Sequence, residues 1–206
     1  KVLGYMVTKR GIEASPEQIK TIMELESPKT IKDTQKLTGR VAALNRFISR
    51  SSERCKPFYY LLRKNTDFVW TQDHESAFQD LKSYLSSPPL LAKTIKDEPL
   101  SLYLSVTEFT VSAMLVKEID GQQHPVYYVS KSFLPTESRY SMIEKLSLAL
   151  VMSCIKLKHY FEGHHICVRT NYPLKNVMSK PELAGRMSKW SMRLSTYNIN
   201  CESSEW

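Results

Sequence analysis

The 206-residue sequence predicts an α/β protein in two parts: a helical part headed by a β-hairpin, then a layered domain of five strands flanked by helices. Three observations predict it. An apolar stripe with helical spacing runs through Leu37, Val41, Leu44 and Ile48. After about residue 100 the pattern changes to short runs of β-branched and aromatic residues, with helical stretches between the later ones. Between these regimes, the segment from Ser86 to Pro99 carries three prolines and marks a boundary. The parts are read as residues 1–92 and 93–206.

The first element is a hairpin over residues 1–13. Val2, Leu3, Tyr5 and Val7 are strand formers, Lys9, Arg10 and Gly11 make a turn, and Ile12 resumes. Ser15 and Pro16 then open a helix to about Glu24, with Ser15 able to cap it and Pro16 suited to its first position. Ser27 and Pro28 end the connection, and Thr30 or Asp33 begins the next helix.

That helix is the most legible element. If it stays continuous past Ile48, Lys36, Arg40, Arg46, Arg50 and Arg54 fall within an arc of about 120° away from the apolar stripe, at roughly 100° per residue. Gly39 inside it costs about 1 kcal/mol relative to Ala. It allows close approach of a backbone, either of a packed helix or of a phosphodiester. A short helix over 57–64, an extended piece over 67–70 and a helix from Thr71 follow. The last buries Ala77, Phe78, Leu81, Tyr84 and Leu85.

In the second part, residues 101–107, 111–119 and 125–132 read as three meander strands, with Asp120 and Gly121 as a hairpin turn. Residues 140–160 form a long helix whose section 146–157 is apolar almost all round, as a helix lying deep against a sheet requires. Residues 166–170 make a fourth strand, 173–178 and 185–194 two helices, and 197–201 a fifth strand. His164 and His165 are read as turn residues.

Composition bounds the function. Hydrophobic residues make up 42% of the chain, too many for disorder, and no run of 18 apolar residues exists to span a membrane. The start has no secretory signal and no initiator Met, which suggests a start inside a longer polypeptide. Cys55, Cys154, Cys167 and Cys201 show no zinc-ligand spacing and are read as reduced structural thiols. The net charge is +8, and residues 29–64, with ten Lys and Arg against Asp33 and Glu53, hold all of it. Such a concentration on a folded segment points to a polyanion.

Ordered motifs then resemble reverse transcriptases of gypsy-type LTR retrotransposons. Leu3, Gly4 and Tyr5, followed by Gly11, Ile12, Pro16, Glu17 and Ile19, resemble their primer-grip hairpin and thumb entry. The run from Leu37 through Gly39, Arg40 and Arg46 to Ile48 resembles their thumb helix. Phe68, Trp70 and Thr71, then Ala77, Phe78, Leu81 and Lys82, then Ser87, Pro88, Pro89 and Leu91, resemble the connector into their RNase H domain. Residues 100–201 follow that domain's order of elements. The resemblance implies a thumb-type subdomain followed by an RNase H-like domain with a five-stranded mixed sheet. The family's Y-x-D-D polymerase turn is absent, so this chain alone is not expected to polymerise DNA.

The resemblance also implies a chemistry: two Mg²⁺ ions, held by carboxylates, hydrolyse the RNA of an RNA–DNA hybrid. It places the first carboxylate at Ser105, the second at Leu146 and the third at Asn171, all three neutral here. Glu108 and Glu144 are the candidate remnants, with Asp120 beside them in a rearranged set. Glu144 precedes Leu146 by two residues, about 200° round a helix. No metal site is therefore expected, and Mg²⁺ only if nuclease activity is retained. Gly4, Tyr5, Lys36, Gly39, Arg40, Arg46 and Arg50 are the expected nucleic-acid contacts. The expected partners are an RNA–DNA hybrid or template–primer duplex and other Pol polyprotein domains, with no membrane. The implied setting is a cytoplasmic virus-like particle or the nucleus, not the secretory route. The tail over 198–206 lacks the basic continuation expected of the family, which suggests truncation or a frame change. An active ribonuclease with rearranged ligands and an inert genomic relic are the competing expectations.

Overall fold

The structure, a computed structural model, describes residues 4–179 and 185–203. Val2, Leu3 and the end of the acidic tail lie outside the described residues. The chain divides into two compact units, residues 1–91 and 92–206.

In the first unit, β1 (Tyr5–Val7) and β2 (Ile12–Ala14) pair antiparallel with Val7 opposite Ile12. The hairpin is extended by one bridge: the N–H of Ile12 donates to the Leu91 carbonyl at 2.8 Å, and that of Leu91 donates back to Ile12 at 3.0 Å. Gly11 makes this possible, since a Cβ there would stand 2.4 Å from the Leu91 oxygen. Helix α1 (Pro16–Met23) starts on Pro16 as expected, but Ser15 is buried and makes no side-chain cap. Helix α2 (Ile31–Ala43) is capped by Thr30, whose hydroxyl oxygen accepts the N–H of Asp33 at 3.1 Å. The Asp33 carboxylate in turn accepts from the Thr30 hydroxyl at 2.8 Å and from the Lys29 N–H at 3.1 Å. These bonds, the Thr30 hydroxyl first, hold its carboxyl below the usual carboxylate range.

The stripe Leu37, Val41, Leu44 and Ile48 is fully buried, but the helix is not continuous beneath it. α2 ends at Ala43, a 3₁₀ turn covers Asn45–Phe47, and Arg50 takes a left-handed conformation (φ 53°) before α3 (Ser51–Arg54). The physical reason is Tyr84 of α5 (Gln72–Ser86). Its hydroxyl donates to the Phe47 carbonyl at 2.7 Å and accepts the Ser49 N–H at 3.1 Å, taking up backbone groups that the break leaves unpaired. Helix α4 (Lys56–Leu61) buries Phe58 and Leu61, and α5 buries Phe78, Leu81 and Leu85 behind a Thr71–His74 capping box.

In the second unit, β3 (Leu100–Val106), β4 (Thr110–Ile119) and β5 (Gln122–Ser132) form the antiparallel meander. Asp120 (φ 52°) and Gly121 (φ 74°) close the β4–β5 turn, the paired positive φ values that a two-residue hairpin of this hand requires. β6 (Ile166–Arg169) and β7 (Ile199–Glu202) run parallel to β3, giving a five-stranded mixed sheet in the order β5-β4-β3-β6-β7. Helix α6 (Met142–Lys156) packs across β3 and β4, with every residue from Leu146 to Cys154 buried. The long helix expected over 140–160 breaks at Leu157, where the backbone leaves the helical region, and resumes as α7 (Lys158–Gly163). Helices α8 (Leu174–Met178) and α9 (Gly185–Leu194) complete the layer. His164 and His165 do more than turn: their rings bond the Glu98 carbonyl at 2.7 Å and the Asn200 amide oxygen at 2.6 Å.

Candidate nucleic-acid interface and the carboxylate positions

On α2, Lys32, Lys36, Gly39, Arg40 and Ala43 fall within about 100° of one another, given 3.6 residues per turn. Lys32, Lys36, Gly39 and Ala43 are exposed, and Arg40 is half-buried because its guanidinium donates to the Thr21 carbonyl. A Cβ on Gly39 would meet nothing within 4 Å. Of the two roles open to this glycine, packing against a helix is therefore not used within the unit. What remains is a smooth, open centre flanked by ammonium groups.

Gly4 sits at φ 85°, and a Cβ there would press on the Gln18 amide at 2.9 Å. Beside it the half-buried Tyr5 ring lies under the Arg46 guanidinium, 5.2 Å from its centroid. Because α2 stops at Ala43, Arg46, Arg50 and Arg54 are not in line with Lys36 and Arg40. Arg50 pairs with Glu53, and Arg54 donates to the Ser49 carbonyl at 2.8 Å while covering the Tyr84 ring. The single row expected from the sequence is thus two groups: a helical face at Lys36 and Arg40, and a turn that sets Arg46 on the hairpin.

The three positions at which the resemblance expects carboxylates come from neighbouring elements. β3 pairs in parallel with β6, Tyr103 opposite Arg169, so Ser105 and Asn171 each lie two residues further on. Leu146 belongs to α6, which packs on β3. Ser105 is exposed and stands opposite Ser112, whose hydroxyl lies 3.1 Å from that of Ser130. Asn171 lies at a cleft of ≈ 340 Å³ that Thr170, Tyr172 and Glu202 also line. Leu146 is 4% exposed and part of the hydrophobic core.

The remnants do not make up a replacement set. Glu144 is the third residue of α6, where its carboxylate accepts the Ser141 N–H at 2.9 Å and pairs with Arg186 at 2.8 Å. The Ser141 backbone bond, then its hydroxyl and Arg186, hold the Glu144 carboxyl below its usual range. Glu108 precedes β4 and Asp120 follows it, so the ten-residue strand separates them by about 30 Å. That strand rules out the trio Glu108, Glu144 and Asp120. A hydroxyl, an amide and an alkyl group do not fit a pair of Mg²⁺ ions. Among the described residues no three His, Cys, Asp or Glu side chains gather as a ligand set. Arg186 was not foreseen in the sequence: it is 42 residues from Glu144, and no local pattern couples them.

Residues 70–168 match the family described as the RNase H-like domain found in reverse transcriptase. The retrovirus-related Pol polyprotein from transposon opus of Drosophila melanogaster is 30% identical over 213 residues, covering 97% of this chain and 21% of that protein. The transposon Tf2-3 polyprotein of Schizosaccharomyces pombe is 27% identical over 211 residues, 97% of this chain and 15% of that protein. The chain thus spans about a fifth or less of these relatives. Among solved structures, the foamy viral protease-reverse transcriptase in complex with RNA/DNA hybrid matches with a TM-score of 0.81 at 24% identity, over 98% of this chain and 28% of that one. The same viral protein in complex with dsDNA matches with a TM-score of 0.75 at 23% identity, over 100% of this chain and 44% of that one. These likenesses establish the fold.

Proposed function

This chain belongs to the Pol polyproteins of retrotransposons, in keeping with its gypsy-type motifs, and on that footing we propose that it grips the backbone of an RNA–DNA hybrid or template–primer duplex as a non-cleaving tether. The observation that carries the reading is the pairing of an open, cation-flanked α2 face with carboxylate positions occupied by Ser105, Leu146 and Asn171. Lys36 and Arg40 supply charge to phosphates, and Gly39 lets a sugar–phosphate backbone approach the helix closely. Arg46, set on Tyr5 beside Gly4, serves the primer end, and Arg50 extends that group. The foamy viral relatives of the fold are complexes with RNA/DNA hybrid and dsDNA, which supports this partner class. The RNase H-like unit connects the grip to other Pol domains.

The test is incubation of the chain with a labelled RNA–DNA hybrid and Mg²⁺ or Mn²⁺ across a salt series, reading binding and cleavage together. Binding that weakens steeply with salt, with intact RNA, is expected. Metal-dependent cleavage abolished by Glu144→Gln would overturn the tether in favour of a nuclease, and neither binding nor cleavage would leave an inert relic.

A further inference from the structure

A second gathering of cations lies away from α2, along the seam between α6 and the edge strand β5. Lys145 and Lys156 are eleven residues apart on α6. Eleven residues bring a helix back to within about 20° of the same azimuth, three turns and about 16 Å further along its axis. β5 runs beside that line. The Lys145 ammonium lies 5.0 Å from the centroid of the Phe133 ring, and that of Lys156 reaches the Ser130 carbonyl at 3.4 Å. Lys131, between Phe133 and Ser130 in the chain, pairs with Glu137. Three ammonium groups thus line one seam, two ending it and one along it.

Among the described residues their charge is balanced only in part. Glu137 is buried and accepts the Leu134 N–H at 2.8 Å as well as the Lys131 ammonium, so it offsets one cation and is spent. Among the described residues no carboxylate pairs with Lys145 or Lys156. Lys156 is an exposed residue, yet its ammonium is crowded: burial, then the nearby Lys131, push its pKa below the ordinary lysine value. Lys145 and Lys156 thus bring two charges to the seam that no described carboxylate offsets, and an anion laid along it would supply their partner.

We infer that the α6–β5 seam is a second phosphate track, which takes the sugar–phosphate backbone of one nucleic-acid strand between Lys145 and Lys156. The length suits it. A duplex strand carries one charge per about 3.4 Å of axis, so about 16 Å presents four or five phosphates. A single strand's phosphates are sequence-blind ligands, as fits ammonium groups that present no planar fork to a base edge. The inference rests on the nucleic-acid reading above and adds to it a contact in the RNase H-like unit.

The experiment measures fluorescence anisotropy of a labelled RNA–DNA hybrid on the full chain from 50 to 200 mM salt. Wild type is compared with Lys145→Gln/Lys156→Gln and with a control of equal charge change, Lys20→Gln/Lys158→Gln. Each lost phosphate contact lowers the salt slope by about one, so the seam variant should lose about two and bind about tenfold more weakly at the low-salt end. The control should keep the wild-type slope, and Lys145→Arg/Lys156→Arg should restore it. Thermal melting should show the seam variant as stable as wild type, because it removes crowded charge. An unchanged slope in the seam variant overturns the track, as does an equal loss in the control. Poly-glutamate bound through the seam with the hybrid's slope unaffected would also overturn it, in favour of an acidic polypeptide. Failure of the wild type to bind hybrid at all would instead remove the underlying nucleic-acid reading, and the track with it.

Discussion

Arg186 of α9 lies 2.8 Å from the Glu144 carboxylate, and the same guanidinium sits 4.2 Å from the centre of the Tyr140 ring. The pair ties the start of α6 to a helix more than forty residues away. The Ser141 backbone bond first, and its hydroxyl and Arg186 after it, hold the Glu144 carboxyl below its usual range. A lowered carboxyl stabilises the fold fully above its unfolded value of about 4.5, and the contribution is lost as pH falls through the lower folded value. Glu144→Gln should lower stability by about 1 kcal/mol at neutral pH, because the amide can still cap Ser141 but loses the charge that pairs with Arg186 and strengthens the bond to the Ser141 N–H. The difference from wild type should vanish in acid, which melting curves at pH 7 and pH 3 would show.

Gly39→Ala separates stability from binding. With open space around the position, alanine should stabilise α2 by about 1 kcal/mol. If a nucleic-acid backbone docks there, hybrid affinity should fall while the melting temperature rises. Equal affinity in both proteins would place the duplex elsewhere.

Tyr84→Phe tests the break after α2. It strips the Phe47 carbonyl and the Ser49 N–H of their shared hydroxyl, at a cost of about 1–3 kcal/mol. Arg54 keeps its ring to cover, so the loss should come from the backbone groups, read as a lower denaturation midpoint with an unchanged slope.

Lys117 is a lysine with 8% of its side chain exposed, bonded to Glu98 at 3.0 Å and to the Lys93 carbonyl at 2.9 Å. Lys117→Met should destabilise the second unit by about 3 kcal/mol, since it leaves Glu98 without its counter-charge. Adding Glu98→Gln should recover part of that loss in a double-mutant cycle.

Gly11→Ala should also destabilise, by more than 1 kcal/mol, because the new Cβ would meet the Leu91 oxygen and φ is 153°. Limited proteolysis near the hairpin would report the loosened bridge.

Much of this was legible in the sequence because periodicity reports burial. The stripe from Leu37 to Ile48 is fully buried, and α6 is buried on all sides from Leu146 to Cys154. Turn chemistry was legible at Asp120 and Gly121 for the same local reason: positive φ limits the residues that fit. The break after Ala43 was not legible. Its cause is a phenol 35 residues downstream of Ser49, and a buried stripe looks the same whether the backbone beneath it is α-helical or kinked. The split of the cation row, the Glu144–Arg186 pair and the Lys117–Glu98 pair share that long-range origin. The carboxylate positions were legible only through motif resemblance; Ser105 lies on β3, and Asn171 lies two residues past the end of its parallel neighbour β6.

The burial of Leu146 sets what a charge at that position would cost. A carboxylate placed there would put an acid among Ala149, Leu150 and the sheet's apolar face. The acid would be forced neutral or the helix pushed outward, and either way the protein would be less stable than its parent. Leu146→Glu alone would therefore cost stability whatever stands at positions 105 and 171. The packed leucine thus makes position 146 intolerant of charge: the seating of α6 on the sheet depends on that side chain staying apolar.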